Sequence, residues 1–132
     1  MGMFVARNIE SLLEQAVRGS RTTDSQVTAV TITKSSGVPL CTVTSKDFSV
    51  TKIKMFALLA ARQGITLEVQ RFEAPEDDDD EKIYGSLVPG TEYGVIFVTE
   101  RNFPEGLIKI RMRNLTEQLK DLAKFDEAEE YS

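Results

Sequence analysis

The 132-residue chain carries 21 acidic against 16 basic residues, a net charge of −5, a single cysteine and no histidine. Its length suits one domain that buries roughly two thirds of the surface its unfolded form exposes. The acidic balance argues against a nucleic-acid binder that neutralises phosphates with a basic face, because Arg101, Lys109, Arg111 and Arg113 are followed by Asp121, Asp126, Glu127, Glu129 and Glu130, the mixed run of a solvated surface.

Residues 6–18 read as a first helix, with Ile9, Leu12, Leu13, Ala16 and Val17 at helical spacing and Gly19 past the end. A polar connector follows over 20–25. Residues 27–33 and 38–44, rich in β-branched side chains, predict two strands joined across Lys34-Ser35-Ser36-Gly37. Ser49 is placed to cap a second helix that ends before Gly64.

This second helix, residues 50–63, is the most informative stretch. Advancing about 100° per residue from Ile53 gathers Phe56, Ala57 and Ala60 around it, while Met55, Leu58 and Leu59 point to the opposite side, around Arg62. One apolar face suits the chain's own core. The other needs a partner, since each large apolar side chain left in water forgoes roughly 1.5–3 kcal/mol.

Residues 65–72 alternate, Ile65, Leu67 and Val69 against Thr66, Glu68 and Gln70, as expected of a half-exposed edge strand. Residues 74–82, with four consecutive aspartates, predict an acidic loop. A second hairpin is expected from 83–88 and 93–99 across Pro89-Gly90-Thr91. Pro104 opens a last helix in which Ile108, Met112, Leu115, Leu119 and Leu122 recur at spacings of four and three, and the acidic tail 126–132 is expected to fray. The element order α-β-β-α-β-β-β-α describes a single domain, residues 1–125, of α/β (α+β) class: a five-stranded, mainly antiparallel sheet with helices on both faces.

The chemistry-bearing motifs are near misses. Without histidine the commonest general base, most catalytic zinc sites and every Ser-His or Cys-His pair are excluded. Ser49-Val50-Thr51-Lys52 spells Ser-x-x-Lys but lacks its companion motifs, and helix capping is the better account. Residues 77–81 lack the ligand spacing and the turn glycine of a calcium loop, and Gly85, Gly90 and Gly94 form no phosphate-binding pattern. Asn114-Leu115-Thr116 is a glycosylation sequon by spelling, but it falls in a predicted helix. Cys41 reads as a small strand residue that packs inward. No catalytic residue, cofactor or metal is expected.

A lone cysteine forms no intrachain disulfide, which makes a cytosolic chain the default. No run approaches the ~18–20 apolar residues of a membrane span. Ala6 stands where a myristoylation motif requires Ser or Thr. Membrane contact is therefore expected only through a partner.

The stretches Met3-Phe4-Val5-Ala6-Arg7-Asn8-Ile9-Glu10-Ser11-Leu12-Leu13 and Val95-Ile96-Phe97-Val98-Thr99-Glu100-Arg101-Asn102-Phe103-Pro104-Glu105-Gly106-Leu107-Ile108-Lys109-Ile110, with the element order, resemble the roadblock/LC7 family over residues 4–125, most like the roadblock subunits of the fungal vacuolar EGO (Ragulator-type) complex. The resemblance implies a scaffold that forms a homo- or heterodimer with a second roadblock-domain protein. Such pairs join a larger membrane-anchored complex and bind Rag-type GTPases in TORC1 signalling at the vacuole or lysosome surface. It places pairing on helix residues 52–62 and strand residues 65–72, giving Met55, Leu58, Leu59, Arg62, Leu67, Val69 and Arg71 as candidate interface residues. A roadblock protein of another branch, such as a dynein light chain or a small-GTPase regulator, is the alternative; Arg62, Arg71 and Arg101 are each eligible as an arginine donated to a nucleotide site.

Overall fold

The computed structural model describes residues 6–19, 26–45, 50–73 and 81–130, the side chains of 6, 7, 19, 50 and 122–130 excepted. The chain runs α1 (Ala6–Gly19), β1 (Val27–Lys34), β2 (Pro39–Thr44), α2 (Val50–Gln63), β3 (Gln70–Phe72), β4 (Glu81–Leu87), β5 (Tyr93–Glu100) and α3 (Glu105–Glu130). The five strands form one sheet in the order β2-β1-β5-β4-β3, and all four pairings are antiparallel. Strand β5 lies at the centre and is apolar on both sides, so Val95–Val98 reads as an unbroken run where an edge strand would alternate.

That run feeds two cores. Val95 and Phe97 pack with Val30 and Ile32 of β1 and Tyr84 of β4 under α1, through Ile9 and Leu13, and under α3, through Ile108, Met112, Leu115 and Leu119. On the other side Ile96 and Val98, with Ala29, Phe72 and Ile83, pack under Ile53, Phe56, Ala57 and Ala60 of α2. The sheet is thus sandwiched by two helices on one face and one on the other.

Two glycines fix the ends of this arrangement. Gly64, at φ +96°, donates its N–H to Ala60 O at 3.0 Å and closes α2 with a left-handed cap. Gly37, at φ +92°, turns β1 into β2, and a β-carbon there would lie 2.8 Å from Ala57 O and 2.9 Å from Ala61 Cβ. The hairpin turn therefore rests on α2 with no room for a side chain. The β1–β2 register slips between Ile32, opposite Cys41, and Thr33, opposite Pro39, which leaves Leu40 as the extra residue of a bulge on the edge strand.

Three expectations need correction. The edge strand is confined to Gln70–Phe72. Residues 65–69 hang beside β4 by a single backbone bond, Leu87 N–H to Thr66 O at 2.7 Å, and by the Ser86 hydroxyl, 3.1 Å from Leu67 O, because a bend at 67–68 breaks the ladder. The bend also breaks the alternation: Ile65 packs toward α2, whereas Val69 packs toward the α1/α3 side. Second, Glu81 and Lys82, assigned to the acidic loop 74–82, begin β4, with Glu81 Oε1 3.0 Å from Lys52 Nζ of α2. Residues 74–80, and Ser49 with its capping role, lie outside the described residues. Third, α3 continues to Glu130, past the point where fraying was expected; after Asp126 the segment is Glu127, Ala128, Glu129 and Glu130, all strong helix formers.

Candidate interaction surface

Helix α2 divides as its periodicity requires. Ile53, Phe56, Ala57 and Ala60 are buried on the sheet, and Met55, Leu58 and Arg62 are exposed, Leu58 at 49%. Leu59 departs from expectation: it lies at the margin of the outer face, half-buried against the α2-side core, because at about 240° from Ile53 it falls beside buried Phe56 at about 300°.

Both ends of α2 are tied to the strands at the sheet's β3 edge. Lys52 in the first turn bonds Glu81 of β4 at 3.0 Å. Gln63 in the last turn bonds the backbone of Glu73, just beyond β3, in both directions: its amide Nε2 donates to Glu73 O and its Oε1 accepts from Glu73 N–H, each at 3.2 Å. The helix and the edge strand therefore form one braced unit. Among the described residues strand β3 pairs only with β4, which leaves its outer backbone edge open. Phe72 plugs β3 into the α2-side core, its ring lying over Gly85, where an added β-carbon would meet Phe72 Cε2 at 2.5 Å.

The remaining candidates are spread around this edge. Leu67, in the bend, is 62% exposed. Val69 is half-buried on the α1/α3 side, and Arg71, alternating with Phe72, is exposed on that same side near Tyr84. The structure thus assembles Met55, Leu58 and Arg62 on one surface, with Leu67, Val69 and Arg71 around the β3 edge. Sequence reasoning missed Val38 and Leu40, exposed on and beside the turn that rests on α2, and Ile110 on the outer side of α3. The alternation of Val38, Leu40, Thr42 and Thr44 against Cys41 and Val43 was the available signal.

Two open grooves flank these elements. One, of about 480 Å³, lies between the bend and α3, lined by Leu67, Val69, Pro89, Lys109, Arg113 and Glu117; the other, of about 630 Å³, lies between α1 and β2, lined by Glu14, Val17, Arg18, Gln26 and Val43. In the first groove the Ser86 and Thr116 hydroxyls, which also line it, donate to the backbone carbonyls of Leu67 and Arg113. Cys41 is half-buried on β2, and burial, then the Glu10 carboxylate, pushes its thiol up, away from the reactive thiolate. Among the described residues no cluster of histidine, cysteine or carboxylate side chains has metal-binding geometry, and no helix is long and apolar enough to cross a membrane.

The sequence matches no family model and no curated protein. The fold does have solved counterparts. An MglB in a tetrameric arrangement superposes with a TM-score of 0.70 at 13% identity, covering 90% of each chain. The gliding protein MglB from Thermus thermophilus gives 0.69 at 15% identity, again covering 90% of each chain. A roadblock/LC7 domain from Streptomyces avermitilis gives 0.64 at 12% identity, covering 85% of this chain and 94% of that one. The chain has the roadblock/LC7 fold, an α/β domain whose three helices sandwich a five-stranded antiparallel sheet.

Proposed function

We propose that this chain is a non-enzymatic scaffold subunit of roadblock/LC7 type that pairs with a second roadblock-domain protein across α2 and the β3 edge. In this reading the pair helps dock Rag-type GTPases at the vacuole or lysosome surface in TORC1 signalling, within a larger complex that supplies the membrane anchor. The observation that carries it is the two-faced α2 braced to an open edge strand. Met55 and Leu58 stand exposed on a helix whose opposite face is already buried, and completing their burial recovers about 1 kcal/mol each. The strand edge beside them, without a neighbour among the described residues, offers backbone groups to the same partner. The likeness of residues 3–13 and 95–110 to EGO-type subunits supports the particular complex.

The test has two arms. Affinity purification of the tagged chain from its native source should recover a second roadblock-domain protein and an anchoring subunit, and the tagged chain should mark the vacuolar rim and turn diffuse when the anchoring subunit is deleted. In sedimentation with the recovered roadblock partner, Leu58→Asp and Met55→Glu should each weaken association while far-UV circular dichroism stays unchanged. Unchanged affinity for both variants would remove α2 from the interface. Rim labelling that survives loss of the anchor would show an independent membrane contact.

A further inference from the structure

The charge on α2 specifies what its outer face takes. Within Val50–Gln63 there is no aspartate or glutamate, but there are Lys52, Lys54 and Arg62, on a chain whose net charge is −5. Lys52 is drawn aside by Glu81. Lys54 and Arg62 are exposed, and among the described residues neither has an ion-pair partner. Leu58 lies midway between them, four residues from each, so the three follow one i±4 ridge with the apolar side chain at its centre.

This spacing bears on a second copy as partner. Two identical helices meeting about a twofold axis at Leu58 run antiparallel, and each residue n positions before Leu58 faces the residue n positions after it. Lys54 of each copy then faces Arg62 of the other, twice, beside the apolar centre where water is excluded and like charges repel most strongly. A helix with an apolar residue flanked by carboxylates four positions to either side turns both repulsions into attractions.

Resting on the reading of α2 as the pairing helix, we infer that its preferred occupant is a different chain that presents such an acid-flanked apolar helix, and that Lys54 and Arg62 disfavour a second copy. The inference can be tested with the full chain as its own probe. The double variant Lys54→Glu/Arg62→Glu supplies the missing carboxylates, and both positions are exposed, so the fold is retained and checked by circular dichroism. Sedimentation equilibrium is run on the unaltered chain, on the double variant and on their equimolar mixture.

The mixture should associate about tenfold more tightly than either component alone at about 50 mM salt, and this advantage should shrink at about 500 mM. Leu58→Asp in both components should abolish the mixed association. A mixture no tighter than its components would overturn the inference. Tight self-association of the unaltered chain that is lost in the double variant would also overturn it, by showing that a second copy supplies the carboxylates. The Leu58→Asp arm separates the two levels of argument: if it weakens association while the charge exchange does nothing, only the charge inference fails, and if it too changes nothing, α2 is not the seam.

Discussion

Replacing Gly37 by alanine isolates the seat of the β1–β2 turn on α2. Two costs combine at this position. The backbone sits at φ +92°, where an L side chain is strained by about 1–2 kcal/mol. The new methyl would also meet Ala57 O at 2.8 Å and Ala61 Cβ at 2.9 Å; the first atom belongs to helix backbone and cannot rotate away, so the turn or the helix must shift, an overpacking cost of about 1–3 kcal/mol. The sum is about 2–5 kcal/mol. Gly64 provides the control, because its φ of +96° is nearly the same and nothing lies within 4 Å of its added β-carbon. Gly64→Ala should therefore cost only the backbone share, about 1–2 kcal/mol. Urea unfolding followed by far-UV circular dichroism measures both, and the difference between the two variants is the steric term. A Gly37→Ala variant within about 0.5 kcal/mol of Gly64→Ala would show that the turn does not rest on α2 as described.

Gly85→Ala drives a β-carbon to within 2.5 Å of the Phe72 ring and should cost about 1–3 kcal/mol in the same assay, with hydrogen exchange rising first at β3; unchanged protection there would refute the packing. The Tyr84 hydroxyl is buried with no hydrogen-bond partner among the described residues, so Tyr84→Phe should hold or raise stability, by up to about 1 kcal/mol, and a comparable loss would reveal a partner. Burial first, then Glu105, raises the Tyr84 phenol above its ordinary value of 10.0, with Arg71 opposing; its contribution is fully present below that value and lost as pH rises past it, so alkaline unfolding should be less steep in Tyr84→Phe. A double-mutant cycle on Lys52→Met and Glu81→Gln should give a coupling of about 1 kcal/mol that falls with salt, and a coupling below about 0.3 kcal/mol would leave the bridge without energetic weight. Exchanging residues 76–80 for a Gly-Ser linker of equal length, with Glu81 kept, should move Tm by less than about 2 °C, and lost partner binding would make the insert a recognition element.

The sequence carried the helices and the central strands because their periodicities are local. Ile53, Phe56, Ala57 and Ala60 were legible as a buried stripe, and Met55 with Leu58 as an exposed one, from spacing alone. Strand β3 was legible as an edge but not in its length, since the alternation of Ile65, Leu67 and Val69 contains no sign of the bend at 67–68 that sends Ile65 and Val69 to opposite cores. The start of β4 was hidden by the neighbouring aspartates, because Glu81 is held by Lys52, 29 positions away. The brace from Gln63 to Glu73 was hidden for a similar reason: a side-chain amide that imitates a strand's backbone has no spelling of its own.

The slipped register at Leu40 bears on stoichiometry. A sheet that accepts a foreign strand along one rim and leaves the opposite rim equally receptive can keep adding subunits, and the product is a filament rather than a finite particle. Here the far rim is β2, which begins with Pro39, a residue with no backbone N–H to offer, and bulges at the next position. Both features spoil the regular row of donors and acceptors that templated growth requires. Among the described residues, a strand joining at β3 thus finds no matching regular row at the start of β2, which disfavours growth along this rim.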